Sequence, residues 1–177
     1  CWKTYLGRPE GHWTRNAAMT NLGNGLGAAD RNEERLKVLE AELATEERLA
    51  GREEDRLIIK SNMATCYTAL GRHEAALDLR REVYDRNKTL EGWTANTLLD
   101  AGNLSLSLIN CEHYAEAKRF LRHDALPAAT RILRPVDPTM LDLRFNLALA
   151  FVNDKPVLPE ALIEAEAILD DVVRTAR

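Results

Sequence analysis

Few residues in the chain are of a type and spacing that could do chemistry. Gly23-Asn24-Gly25-Leu26-Gly27-Ala28 satisfies the letters G-x-G-x-x-A of a dinucleotide-binding loop. That loop works where a strand leads into it and a helix N-terminus receives the pyrophosphate. Here Asn16-Ala17-Ala18-Met19-Thr20 precedes it and reads as helix, so nucleotide binding is not expected. The histidines His12, His73, His113 and His123 never stand at i, i+4 to one another, and no carboxylate cluster joins them, so no metal site is expected. Cys1, Cys66 and Cys111 lack paired zinc spacing and read as free thiols. Ser105 and Ser107 carry no nucleophile signature. Glu33, Glu34, Glu40, Glu42, Glu46 and Glu47 lie among Arg31, Arg35, Lys37 and Arg48, as on a solvated helix. Neither a catalytic constellation nor a cofactor site is expected. The residue that does recur at regular spacing is asparagine, whose amide both donates and accepts hydrogen bonds.

Asn21, Asn62, Asn103 and Asn146 follow one another at intervals of 41, 41 and 43 residues. Each precedes Leu or Met, then a small residue (Gly23, Ala64, Ser105, Ala148), and five positions on comes a bulky one (Leu26, Tyr67, Leu108, Phe151). Similarity at a fixed period marks a repeat architecture. In the second copy Ile59, Met63, Cys66, Tyr67 and Leu70 share one face of a helix. Gly71 then ends it, and Ala76, Leu79 and Val83 line a second helix. Leu36, Leu39 and Leu43 do this in copy one, and Ala117, Phe120 and Leu121 in copy three. The breaks within copies fall at Asp30-Arg31-Asn32, Gly71-Arg72, Asn110-Cys111-Glu112 and Asn153-Asp154-Lys155-Pro156. No copy can bury its apolar face alone, so the copies must stack. The expected fold is all-α: a right-handed superhelical solenoid of antiparallel helix pairs, near residues 14–50, 53–90, 94–133 and 138–177, forming one domain over 1–177. The small residue after Asn-Leu or Asn-Met belongs where two helices approach closely, since a larger side chain would overpack the seam.

Leu or Met, a small residue, two of any kind and a bulky one, with Gly71-Arg72-His73-Glu74-Ala75-Ala76 behind them in copy two, resembles the tetratricopeptide repeat (TPR), whose usual period is about 34 residues. The longer period, with Asn before Leu or Met, resembles the form found in kinesin light chains and related adaptors. Arg134-Pro135-Val136-Asp137-Pro138-Thr139 and Arg8-Pro9-Glu10-Gly11-His12-Trp13-Thr14 resemble its inter-repeat linkers. The likeness covers nearly the whole chain and is loosest in copy one, where Asp30 stands for the turn glycine and Arg35 for Ala76 and Ala117. It implies a protein-binding scaffold or adaptor whose concave surface, lined by the first helix of each pair, takes a peptide. Positions four before, at, three after and seven after each Asn share a stripe: Ala17, Asn21, Asn24, Ala28; Ile58, Asn62, Thr65, Ala69; Leu99, Asn103, Leu106, Asn110; and Asp142, Asn146, Leu149, Asn153. The candidate binding residues are Asn21, Asn24, Asn62, Thr65, Asn103, Leu106, Asn110, Asn146, Leu149 and Asn153. In the resembling family the matching Asn contacts peptide backbone. On the residues alone a second role stays open, in which each amide bonds to the neighbouring repeat and sets its stacking angle. The stripes lack a basic cluster, so a groove for an acidic C-terminal tail is not expected. The rival function is a regulatory or oligomerising segment of a larger multidomain enzyme, such as a nucleotide-dependent switch protein.

With 177 residues, 45% of them hydrophobic, and a formal charge of −4, the chain is globular and lacks a basic footprint for nucleic acid. No apolar run approaches the ~20 residues of a membrane span, so a soluble, cytoplasmic protein is expected. Opening on Cys1 suggests a piece of a longer array. Leu162, Ala165, Ile168, Leu169, Val172 and Val173 form a last helix without a polar capping helix, so further chain or self-association is expected there. Pro127 should break the second helix of copy three near Ala125-Leu126. Three glycines should make copy one the least stable. Trp2, Trp13 and Trp93 should pack over helix ends near the linkers.

Overall fold

The computed structural model describes Gly7 and residues 13–175, with side chains from 17 onward within that span. Cys1, Trp2, His12 and the side chain of Trp13 lie outside the described residues. Every regular element among the described residues is helical. The chain divides into two compact units, Cys1–Leu79 and Arg80–Arg177. The first holds α1 (Trp13–Ala28), α2 (Asn32–Arg48) and α3 (Glu53–Ala69). The boundary falls within α4 (His73–Glu91). The second unit holds α5 (Ala95–Asn110), α6 (Tyr114–Phe120), a π turn (Leu121–Ala125), α7 (Leu126–Ile132), α8 (Pro138–Asn153) and α9 (Pro159–Thr175).

Three of the turns inside the pairs are built alike. Asp30, Gly71 and Glu112 take left-handed conformations, with φ of 56°, 72° and 61°. The next N–H in each case reaches back five residues, from Arg31 to the Leu26 carbonyl (2.9 Å), Arg72 to Tyr67 (2.8 Å) and His113 to Leu108 (2.8 Å). This is the Schellman closure of a helix C-terminus. Its acceptor is always the bulky residue five positions after the repeat Asn. Copy four cannot make it, because Pro156 occupies the donor position and has no N–H. There α8 ends instead on Asp154 at φ −76°, ψ 96°.

Pro127 acts on the helix before it. The missing N–H of Pro127 breaks the α-helical ladder, and the preceding residues widen into a π turn in which the Leu126 N–H bonds to the Leu121 carbonyl. The break expected at Ala125-Leu126-Pro127 therefore appears as a change of register. The extra residue keeps Ala117, Leu121, Ala125 and Ala129 all buried.

In the first unit Leu36 and Leu39 of α2 pack with Ile59, Met63 and Cys66 of α3, and Leu43, Tyr67, Leu70 and Leu79 close the cluster. In the second, Leu98, Leu108, Leu121 and Leu143 are completely or almost completely buried. Each such leucine contributes about 1.5–3 kcal/mol. Ala64, Ser105 and Ala148, the small residues two after the Asn, are buried as expected; Gly23 is buried too, but a Cβ there would meet nothing within 4 Å, so no close approach demands its small size. Copy one resolves its irregular Arg35 by exchanging sizes between its helices. A Cβ on Gly27 would stand 3.0 Å from Arg35 Nη1, so the guanidinium lies where Gly27 leaves room. The corresponding pairs in copies two and three are Thr68 with Ala76 and Ile109 with Ala117, the large residue now on the first helix. Trp93, in the linker after α4, tilts on Tyr84 (6.1 Å between centroids) and carries Lys88 Nζ 4.4 Å above its ring.

Candidate peptide-binding groove

Two helix starts decide which residues of α5 and α8 share a face. Thr94 opens α5 with a reciprocal capping box, its hydroxyl accepting from the Thr97 N–H and the Thr97 hydroxyl accepting from the Thr94 N–H. Asp137 opens α8 by accepting from the Thr139 N–H at 2.9 Å, with Pro138 in the first turn where a missing donor costs nothing. In this setting Leu98, Ala101, Ser105 and Leu108 of α5, and Met140, Leu143 and Leu147 of α8, turn inward. The neighbouring faces stay open and form a groove of about 290 Å³ between the two helices. Leu99 (52% exposed), Leu106 (40%) and Phe145 (49%) give it apolar walls. Asn103, Thr139 and Asp142 add polar groups.

Asn146 belongs to the seam beneath this groove. Its amide is 6% exposed and donates to the Gly102 carbonyl (3.1 Å) and to Ser105 Oγ (3.0 Å) of α5. Ser105 Oγ also donates to the Gly102 carbonyl at 2.8 Å. Of the two roles open to the asparagines, Asn146 takes the stacking one. The others differ. Asn21 and Asn24 are exposed on α1, and Asn62 on α3 is half-buried beside exposed Thr65, which bonds back to the Ser61 carbonyl. Asn103 is half-buried in the groove wall, Asn110 exposed, and Leu149 half-buried. Asn153 spends a donor on the Leu149 carbonyl at 2.9 Å.

The groove thus gathers Asn103, Leu106 and Asn146 of the expected binding residues, with Leu99 and Asp142 of the same stripes. Phe145, Thr139 and Gly102 were missed. Thr139 stands seven before Asn146, on the same stripe one step beyond where it was cut. Phe145 and Gly102 precede their Asn by one, which places them about 100° round the helix, just past the stripe edge marked by Leu106. A broader stripe would have found the aromatic residue.

A larger hollow of about 390 Å³ lies among α7, α8 and α9, over Leu126, Leu147 and Ile168. Its rim charges are already engaged, Arg144 with Asp171 at 2.6 Å and Glu164 with Arg122. Among the described residues no three His, Cys, Asp or Glu side chains gather where one ion could be shared, and no helix is long and apolar enough to cross a membrane.

No protein-family model matches the sequence, and no curated protein matches it. Solved structures do. A crystal structure of a Podosopora anserina protein with nearly identical TPR-like repeats of the kinesin light chain type matches with a TM-score of 0.77 at 22% identity, covering 96% of this chain and 79% of that one. The fold is that of the TPR-like repeats. A single-substitution variant of the same protein gives 0.78 at 24%, over 96% and 77% of the two chains. BtubC (BKLC) from P. vanneervenii gives 0.74 at 18%, over 90% and 62%. At such identities the likeness carries the TPR-like fold, and the ligand must be argued from this chain's own residues.

Proposed function

We propose that the protein is an interaction scaffold, without catalytic activity of its own, that holds a peptide segment of a partner protein in the groove between α5 and α8. The observation that carries this reading is the exposure of Leu99, Leu106 and Phe145 around one concavity, ringed by polar groups able to meet a main chain. Exposed large apolar residues gathered in this way mark binding surfaces more than scattered ones do. The first helices of the pairs supply the site, as the TPR-like fold leads one to expect. The four pairs would count as one solenoid domain, in which Asn21, Asn24, Asn62 and Thr65 are contact residues of the first unit and Asn110, Leu149 and Asn153 flank the groove of the second. Cys66 and Cys111, neither of them in a disulfide, suit a reducing, cytoplasmic setting. The test is selection of a phage-displayed random peptide library on the purified chain. Peptides so found should lose binding to Phe145→Arg and Leu99→Arg while both variants keep wild-type circular dichroism. Peptides bound equally by wild type and both variants would defeat the reading.

Self-association is the second reading, favoured by the exposure of Leu162, Ile163 and Val173 on α9. Light scattering across a concentration series, with Ile163→Glu as the control, decides it.

A further inference from the structure

Resting on that reading, we infer that the groove between α5 and α8 selects segments in which apolar side chains flank a lysine or arginine, and rejects acidic ones. Asp142 is the ionisable residue among those lining it, and no lysine or arginine joins it there. Other carboxylates of the same unit are held by cations: Asp154 by Lys118 (2.5 Å), Asp171 by Arg144 (2.6 Å) and Glu116 by Arg81 (2.9 Å). Asp142 has no such partner among the described residues. Arg144, the nearest cation along α8, is drawn to Asp171 on α9 and does not neutralise it.

A carboxylate left unpaired among Leu99, Leu106 and Phe145 makes the groove selective by charge. A ligand that covers the apolar walls also strips water from Asp142. Without a cation that loss is uncompensated. With one, the pair forms in a medium of lower dielectric than bulk water. An acidic ligand residue meets a like charge instead, which builds rejection into the same geometry. The formal charge of −4 acts in the same sense at longer range, favouring encounter with basic segments.

The experiment uses peptides selected on the intact chain and counter-selected on Phe145→Arg, so that only groove ligands remain. The best is synthesised with its basic residue intact, then as its glutamine and glutamate versions, and titrated by fluorescence anisotropy at low and physiological ionic strength. Lysine or arginine should bind more tightly than glutamine, and glutamine more tightly than glutamate, each step about three- to tenfold. Asp142→Asn should level the three, and Asp142→Lys should reverse their order. Salt should weaken the basic peptide most. Groove ligands without a basic residue, or an order unchanged in Asp142→Asn, would overturn the charge selection while leaving the peptide-binding reading intact. If no selected peptide is sensitive to Phe145→Arg, both fall together.

Discussion

In the Arg80–Arg177 unit the amide of Asn146 is buried and bonded twice to the preceding first helix. In the Cys1–Leu79 unit Asn62 holds the same repeat position, yet it is half-buried and makes no side-chain hydrogen bond among the described residues. The two asparagines are identical, so the cause lies in what faces them. Copy three offers Asn146 the hydroxyl of Ser105 and the carbonyl of Gly102. In copy one the position of Ser105 holds Gly23, which has no hydroxyl, and nothing lies within 4 Å of where its Cβ would stand. A repeated residue therefore has no fixed role in a solenoid. The copy before it assigns one. The same contrast separates the open faces: α5 and α8 present Leu99, Leu106 and Phe145 to one groove, whereas the exposed stripe residues of α1 include Ala17, Asn21 and Asn24, and Ile58 is exposed on α3.

The comparison breaks most easily at the asparagines themselves. Asn146→Ala should cost about 1–3 kcal/mol, because it strips a buried pair of hydrogen bonds from the seam. Asn62→Ala should change stability by less than about 0.5 kcal/mol, as at an ordinary surface site. Urea denaturation of the two variants measures this, and equal losses would dissolve the distinction. A sharper version moves the serine. Gly23→Ala should stabilise by about 1 kcal/mol through helix propensity alone, since nothing stands within 4 Å of the added Cβ. Gly23→Ser is the weaker helix former, yet it should stabilise more by offering Asn62 the hydroxyl that Ser105 gives Asn146. Alanine outdoing serine would mean the facing residue is not what fastens the seam.

The turns give a smaller effect. Asp30 and Glu112 pay for left-handed backbone that Gly71 adopts freely. Glu112→Gly should stabilise by up to about 1 kcal/mol and Asp30→Gly by less, because Asp tolerates that region better than Glu. Thermal melts of both, with Gly71→Ala as the destabilising control, check the order.

These cases also show what could be read before any coordinates. The repeat period and the apolar faces of Ile59-Met63-Cys66 and Leu36-Leu39 specified the helix pairs, because burial forces a period on the sequence. The small residue after each Asn-Leu or Asn-Met was legible for the same reason. The turn at Glu112 was placed correctly without a glycine to mark it, but its left-handed backbone was not foreseen, since the Schellman bond is set by the helix end rather than by the residue that bears the strain. Pro127 was read as a break and became a change of register, a choice that depends on keeping Leu121 and Ala125 buried. The role of Asn146 could not be read from its own copy, as Ser105 lies 41 residues earlier. Phe145 escaped because an exposed aromatic beside the stripe carries no periodic signal.

The smallest expected effect sets the two units against each other by pH. Burial pushes the Glu42 carboxyl up, and neighbouring Glu46 adds to the rise while the Thr20 hydroxyl opposes it. Burial likewise pushes Asp100 up, but the Asn87 amide and the charge of Arg80 oppose it, with Glu91 adding slightly. A carboxyl whose pKa is higher in the folded state binds its proton more tightly there than in the unfolded chain. Stability from such a group is greatest below the ordinary carboxylate range, about pH 4, and declines as pH rises through the folded value. Each of these two carboxyls should therefore add slightly to stability on mild acidification. Glu42→Gln and Asp100→Asn should each flatten that dependence, and Glu42→Gln should flatten it more, since at Glu42 the nearby charge is of the same sign while at Asp100 a cation offsets the burial. The measurement is the urea midpoint of both variants and the wild type at several pH values from about 4 to 7. Amide hydrogen exchange on α2 and α5 assigns each change to its unit. A greater flattening from Asp100→Asn would show that Arg80 does little for Asp100, and that burial alone governs both carboxylates.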